Sequence, residues 1–261
     1  MLLNAKNAQG EVLFSAEGEN EAFLVIQREY QEGDAIEIIA EPGDHLFVQM
    51  DAAMQEGEVY LPQGRMLWPI PFGDQRNGYS PTAFMGGLHL VTARKMTASE
   101  IASVRNIALN PADLRGETDF FPHATANVET RGEAQFFCRN VIDGMRVSFK
   151  HGPWPFDSWG IGAREDAWCQ LDFGRPVVTD RMLLTLRADF PHDAYWVRGH
   201  VVLSDGAEIE FPLEKRGDRQ EILLGGMHTI TWARLERLIK SDDPSAFPSL
   251  TQWEVIGRDE L

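Results

Sequence analysis

The segment Lys150-His151-Gly152-Pro153-Trp154-Pro155-Phe156-Asp157-Ser158-Trp159-Gly160 puts two tryptophans, a histidine and an aspartate within eleven residues, on a backbone braced by two prolines. A flat ring supplies contact area, and polar groups fixed beside it set orientation. That combination suits a ligand with an apolar face and a rim of hydroxyls, as a sugar has. A second run, Arg187-Ala188-Asp189-Phe190-Pro191-His192-Asp193-Ala194-Tyr195-Trp196, offers Asp189, His192 and Asp193 as hydrogen-bonding groups and Tyr195 and Trp196 as flat surface. Arg187 adds a planar fork able to clamp a carboxylate or vicinal hydroxyls. The plainer reading puts Trp159, Phe190 and Trp196 in a core and leaves the charges to solvent, because large aromatics are mostly buried. Trp154, set between two prolines, is the ring expected at the surface.

Motifs for other chemistries are missing. The seven histidines (45, 89, 123, 151, 192, 200 and 228) include no His-x-x-x-His pair, and no Cys-x-x-Cys occurs, so no transition-metal spacing is present. There is no Gly-x-Ser-x-Gly elbow, and Leu224-Gly225-Gly226-Met227 lacks the Lys-Ser/Thr that would make it a phosphate loop. Asp157, Asp189 and Asp193 could converge as the carboxylate pair that a glycosidase needs. With 40 acidic residues in the chain, such a coincidence is expected somewhere, so binding is read ahead of catalysis.

The elements that must position these residues read as strands. Phe23–Ile26, Ala35–Ile39, His45–Met50, Glu58–Leu61 and Leu88–Val91 are short apolar or alternating runs, separated by turns such as Gln31-Glu32-Gly33-Asp34 and Glu41-Pro42-Gly43-Asp44. Trp68 through Pro81 is rich in Pro and Gly and reads as a long loop. Thr97-Ala98-Ser99-Glu100 has the pattern of a capping box. Polar, turn-forming residues around Asn106–Asp113 suggest a linker over about 106–122, dividing the chain into domains 1–110 and 111–261. Beyond it, strands are expected at Ala167–Phe173, Arg181–Arg187, Val197–Leu203, Ala207–Leu213, Thr229–Leu238 and Thr251–Ile256, with a hairpin at Ser204-Asp205-Gly206. Short strands at this spacing, with no long helical period, predict an all-β chain of two β-sandwich, jelly-roll-like domains.

The bulk numbers exclude several partners. Net charge is −16 over 261 residues. Residues 1–110 hold 15 acids against 7 Lys and Arg, and the remainder 25 against 17, so each half carries −8. Neither half supplies the basic stripe that a nucleic acid requires, and anionic membranes are disfavoured for the same reason. The first residues, Met1-Leu2-Leu3-Asn4-Ala5-Lys6-Asn7, do not resemble a secretory leader. The expectation is a cytoplasmic protein whose two cysteines, Cys138 and Cys169, could pair if they met in space but are read as reduced and buried.

From Ala124 onward, an ordered series of motifs resembles the galactose-binding-like, or discoidin-like, jelly-roll family, which includes F5/8 type C domains and many carbohydrate-binding modules. The series is Ala124-Thr125-Ala126-Asn127, Phe137-Cys138-Arg139-Asn140-Val141-Ile142-Asp143-Gly144, the loop ending Ser158-Trp159-Gly160, Trp168-Cys169-Gln170-Leu171-Asp172-Phe173-Gly174, the Val201–Gly206 hairpin, and Thr251-Gln252-Trp253-Glu254-Val255-Ile256-Gly257. It spans roughly residues 120–258. The resemblance implies a ligand site built from loops at one end of the sandwich, which would make the His151 and Asp189 loops neighbours, and it places Trp159 near the family's core tryptophan. It also implies a structural calcium ion, with Asp143 as a ligating aspartate and the Arg139 carbonyl as its companion. Gln252 stands where the family has a ligating Glu, with Glu254 two residues on. No cofactor is required beyond that ion.

The reading these observations lead to is a non-catalytic carbohydrate-binding protein whose sugar is held by His151, Trp154, Asp157, Trp159, Arg187, Asp189, His192, Asp193, Tyr195 and Trp196. A carbohydrate-active enzyme (glycosidase or lyase) using acids of the same cleft and a protein-interaction module are the alternatives. Self-association is left open.

Overall fold

A computed structural model describes residues 1–260. Its first eight strands are β1 (Leu2–Lys6), β2 (Val12–Glu17), β3 (Glu21–Ile26), β4 (Ala35–Ile39), β5 (Asp44–Gln49), β6 (Gly57–Leu61), β7 (Arg65–Pro69) and β8 (His89–Lys95). They form two antiparallel four-stranded sheets, ordered β2-β1-β4-β7 and β3-β8-β5-β6. Strand β3 shows the reason for the packing: Ala22, Leu24 and Ile26 point inward while Phe23 and Val25 stay exposed, the period-two alternation of a sheet with one buried face. Leu3, Ile36, Ile38, Leu46, Val48 and Trp68 complete the core between the sheets. Strand β7 lies partly inside the stretch expected to be a loop. Its Trp68 is fully buried and donates its indole Nε1–H to the Ala112 carbonyl at 2.8 Å. The expected capping box is present at the short helix α1 (Ala98–Ala102), capped by Thr97 and Glu100.

The remaining strands are β9 (Arg105–Asn106), β10 (His123–Ala126), β11 (Trp159–Gly160), β12 (Cys169–Leu186), β13 (Trp196–Leu203), β14 (Glu208–Pro212), β15 (Gln220–Lys240) and β16 (Ser249–Asp259). They pair antiparallel in one eight-stranded sheet, ordered β11-β16-β12-β15-β13-β14, with β10 on β12 and β9 on β16. The two strands expected at Ala167–Phe173 and Arg181–Arg187 belong to the single long strand β12, whose register against β15 shifts between Asp172 and Val177 and again between Thr179 and Arg181. Such irregularities bend a strand. The sheet closes around a core that includes Trp159, Phe173, Leu184, Trp196, Ile230 and Trp253. The Asp205-Gly206 hairpin forms as expected, with the Leu203 amide donating to the Ala207 carbonyl. No helix among the described residues is long and apolar enough to cross a membrane.

Residues 106–122, expected to link two domains, are built into both cores. Ile107 and Ala108 pack in the C-terminal core, Ala112 and Phe120 in the N-terminal one. The polar residues there face inward. Asn110 and Asp113 are fully buried, Asn110 donating to the Pro122 carbonyl and Asp113 accepting from the Ala124 amide and pairing with His123. At Gly57 a Cβ would sit 2.2 Å from the Pro111 ring, so only glycine allows this close approach.

A buried ionic network closes the seam between the halves. Glu58 from β6 and Asp259 from β16 face Arg105 from β9 and Arg175 from β12. Arg105 reaches Glu58 at 2.7 Å and Asp259 at 2.6 Å, and Arg175 reaches Glu58 at 2.7 Å and also pairs with Asp259. His45 adds a contact to Glu58 at 3.3 Å. His45, Glu58 and Asp259 are the one group of three His, Cys, Asp or Glu residues close enough to hold a metal among the described residues. Two guanidinium groups already neutralise both carboxylates, so the group is an ion-pair network. Burial works to raise the Glu58 carboxyl, but His45, Arg105 and Arg175 overcome it and hold the group at about 2.

Candidate functional site

Strand β12 ends at Leu186, and the chain turns through Arg187–Trp196 into β13. Ser249 fixes this exit by accepting from the Arg187 amide at 3.1 Å, while Asp189 and His192 pair across the turn. The Asp189 carboxylate is buried and stands between two partners. Arg187 Nε lies 2.6 Å from Oδ1 in a close charge contact without hydrogen-bond alignment, and His151 Nδ1 meets Oδ2. His151 comes from the other candidate loop, so the two loops are neighbours. His192 completes the group, its ring edge-on to that of His151 at 4.6 Å between centroids. Arg187 is itself buried, and one of its terminal amino groups donates to the Phe247 carbonyl at 2.5 Å. Burial pulls the Arg187 guanidinium below its ordinary value, and the Asp189 charge opposes that fall.

His151, Arg187 and His192 line a cleft of about 150 Å³ that opens beside Phe247, Phe136, Arg131 and Thr130, while Asp189 is buried outside its lining. Phe247 is 47% exposed and Phe190, at the tip of the Asp189–His192 turn, is 89% exposed. The cleft therefore combines a partly exposed imidazole, oriented by the buried Asp189 carboxylate, with a guanidinium and an aromatic rim, which together can hydrogen-bond and stack a small polar ring. Phe136, Arg131 and Phe247 were not singled out in the sequence. Arg131 and Phe136 come from one stretch of 3-10 turns and Phe247 from the segment before β16, and no local motif joins them.

The other candidates go elsewhere. Trp159 and Trp196 are fully buried, their ring centroids 6.3 Å apart in the core, and Trp159 donates its indole N–H to the Val128 carbonyl at 2.8 Å. They hold the sandwich together and do not contact a ligand. Tyr195 packs half-buried against the same core. Asp193 pairs with Lys215 at 3.3 Å. Trp154 is half-buried and lines a different cleft, of about 330 Å³, at the seam between the halves with Tyr79, Arg139, Asp143 and Gln55. Its amide donates to the Asn77 carbonyl at 2.8 Å, which ties the loop to the N-terminal half.

Asp157 is buried beside Asp143, not in the His151 cleft. Neither Asp157 oxygen has a hydrogen-bond partner. Burial pushes Asp143 well above the usual carboxylate range, with Asp157 adding to the rise and Arg139 opposing it; burial also raises Asp157, against Asp143 and Arg139. Both shifts favour the protonated form of the pair. A carboxyl whose folded value is raised contributes stability at low pH that is lost as pH rises through that value. Asp143→Asn mimics the protonated acid and keeps an acceptor for the Met145 amide, which donates to Asp143 at 2.7 Å. As pH rises above the ordinary aspartate value of 3.8, its melting temperature is expected to fall less than that of the parent. Parallel thermal melts across that range would contradict this if both proteins fell equally.

The calcium set implied by the family resemblance does not assemble around Asp143. The Glu254 carboxylate is held by a fork from Arg219, at 2.7 and 2.8 Å. Gln252 is a neutral amide, fully buried, with both polar side-chain atoms unpartnered. The Arg139 guanidinium is buried, donates to Pro111 and Gly78 carbonyls, and lends its charge to Asp143 and Asp157. A hard divalent ion wants six to eight oxygens, several of them carboxylate. With Glu254 taken by Arg219 and Gln252 neutral, the set offers too few free carboxylate oxygens, so the residues do not fit the ion.

Taken from its own topology, the molecule is an all-β protein of two antiparallel sandwiches, with a polar cleft where two loops meet at one end of the second. No protein-family model and no curated protein matches the chain. Among solved structures it is similar to the lectin domain of lectinolysin complexed with Lewis B antigen, at 17% identity and a TM-score of 0.42, over 60% of this chain and 98% of that one. It is also similar to chitosan-binding module 1 of a chitosanase/glucanase from Paenibacillus sp. IK-5, at 17% identity and a TM-score of 0.40, over 58% of this chain and 98% of that one. A third likeness is to the family 32 carbohydrate-binding module from C. perfringens NanJ in complex with galactose, at 13% identity and a TM-score of 0.39, over 51% of this chain and 91% of that one.

Proposed function

We propose that the protein binds carbohydrate, without transforming it, in the cleft lined by His151, Arg187 and His192. The observation that carries this reading is the Asp189 carboxylate, buried and held from both sides by Arg187 and His151. It fixes the orientation of an imidazole whose side chain is 40% exposed at the mouth of the cleft. A site with its polar groups locked before the ligand arrives loses little freedom on binding. Phe247 supplies an apolar face beside it.

The same arrangement speaks against hydrolysis. A glycosidase needs two carboxyl groups flanking the bond to be cut. Asp189 is the one acid of the cluster and both its oxygens face a cation or imidazole; Asp157 is buried beside Asp143, and Asp193 is paired with Lys215. Hydroxyls of a neutral saccharide match the mixed donors and acceptors of the cleft.

A glycan array probed with the intact protein tests this. His151→Ala is expected to weaken the strongest response by at least about tenfold, the scale set by one lost hydrogen bond to a charged group. Trp154→Ala, which alters the other cleft, is expected to leave that response unchanged. An array with no response would overturn the reading, as would release of reducing ends from any glycan that binds. A protein retained on the Phe190 face without any glycan response would point to a protein-interaction module instead.

A further inference from the structure

Cys138 opens a 3-10 turn, Cys138–Ile142, and Cys169 is the first residue of β12. The fold brings their Sγ atoms to 2.8 Å, with both residues buried at 1% and 0% exposure. That separation is roughly 0.8 Å longer than a disulfide bond. Around them the backbone is held: the Cys138 amide donates to Glu129 at 2.8 Å, and Cys169 lies in register with Ala126 and Leu235. The pair stands apart from both clefts, and nothing else in the molecule uses it.

We propose that Cys138 and Cys169 are a cross-linking site that forms an intramolecular disulfide. The chemistry is an exchange. The two thiols give up two protons and two electrons, and a small-molecule disulfide such as oxidised glutathione accepts them, its S–S bond breaking to two thiols as the Cys138–Cys169 bond forms. Burial raises the Cys138 thiol well above its ordinary value, and the Cys169 thiol beside it adds to the rise. Attack needs a thiolate with access to the oxidant, so the bond forms while the chain is folding or locally open, and burial then protects it.

The cross-link would close a loop of 31 residues by sequence separation, and that loop contains Asp143, His151, Trp154 and Asp157. Tying the loop at its base removes freedom from the unfolded chain. The inference does not rest on carbohydrate binding and would stand if the cleft bound nothing.

The test uses the full chain, unfolded in guanidinium and refolded in mixed oxidised and reduced glutathione, then denatured again with iodoacetamide and weighed. The expected product is lighter than the reduced protein by two hydrogens, takes no alkyl group and gives a cross-linked Cys138–Cys169 peptide on digestion. Its melting temperature should exceed that of the reduced protein by about 5–15 °C. Cys138→Ala and, separately, Cys169→Ala should each take one alkyl group and lose the difference between oxidising and reducing conditions; either variant alone suffices if the other fails to fold. Alkylation of both cysteines after oxidative refolding would overturn the proposal. So would glutathione attached to a single cysteine, or a cross-linked product that melts no higher than the reduced one.

Discussion

Arg175→Ala should lower the melting temperature by roughly 10 °C, because it strips a counter-charge from two buried acids at once. The guanidinium is 5% exposed, as are the side chains of Glu58 and Asp259 that it pairs with. Removing one member of a buried ionic network leaves charges that neither water nor a partner can stabilise, at a cost of about 3–5 kcal/mol. In a chain of 261 residues each kcal/mol moves the midpoint by about 2–4 °C. The network also makes the seam acid-sensitive. A carboxyl held below its usual value contributes stability that is complete above that value and is lost as pH falls through the folded one. For Glu58 the window runs from the model-compound value of 4.5 down to about 2, and the amount lost is roughly 3 kcal/mol. Acid titration of Glu58→Gln should accordingly be shallower than that of the parent across this window. Calorimetry showing a shift under about 2 °C for Arg175→Ala would mean the seam is held by apolar packing alone.

Asp189→Ala should act on both stability and binding, and His151→Ala on binding alone. Arg187 is 4% exposed and Asp189 is its one anionic partner, so truncating the acid strands a buried cation at a cost of about 3 kcal/mol or more. The cleft would lose its fixed geometry with it, and glycan affinity should fall by about a hundredfold or more. The partly exposed His151 is expected to cost less than about 1 kcal/mol of stability when truncated while still weakening the ligand. Melting curves and titrations of both variants separate the two roles. Equal loss of stability in both would show that His151 is structural.

The strands of the N-terminal half were legible from apolar runs such as Phe23–Ile26 and from alternation at His45–Met50, though the unbroken run at Phe23–Ile26 does not tell which face is buried. Pro and Gly hid β7. Trp68 precedes a proline and the segment reads as a loop, yet β7 pairs only with β4 at the edge of its sheet, where Pro69 is tolerated. The 106–122 segment was misread for a related reason. Asn110 and Asp113 have the composition of solvated turns, but short polar side chains also serve as internal hydrogen-bonding hubs, and sequence does not separate the two roles. Of the candidate site, the meeting of His151 with Asp189 was expected from the family resemblance, which puts both loops at one end of the sandwich. Trp154 and Asp157 share the His151 loop but leave the cleft because the loop crosses the seam, and a seam is a tertiary fact with no local pattern.

Strand β16 lies between β11 and β12 and also carries β9, although it is the last strand of the sheet to be synthesised. Ile256 pairs with Asn106 across 150 positions of sequence and Gly257 with Arg105 across 152. While the ribosome is still adding residues before Ser249, the flanks of β12 and β9 therefore remain open edges, with Trp159 and Leu184 short of the packing that Trp253 provides. Unpaired strand edges recruit other chains. The interval between the emergence of β12 and that of β16 is therefore the one in which these edges stay open to misassembly.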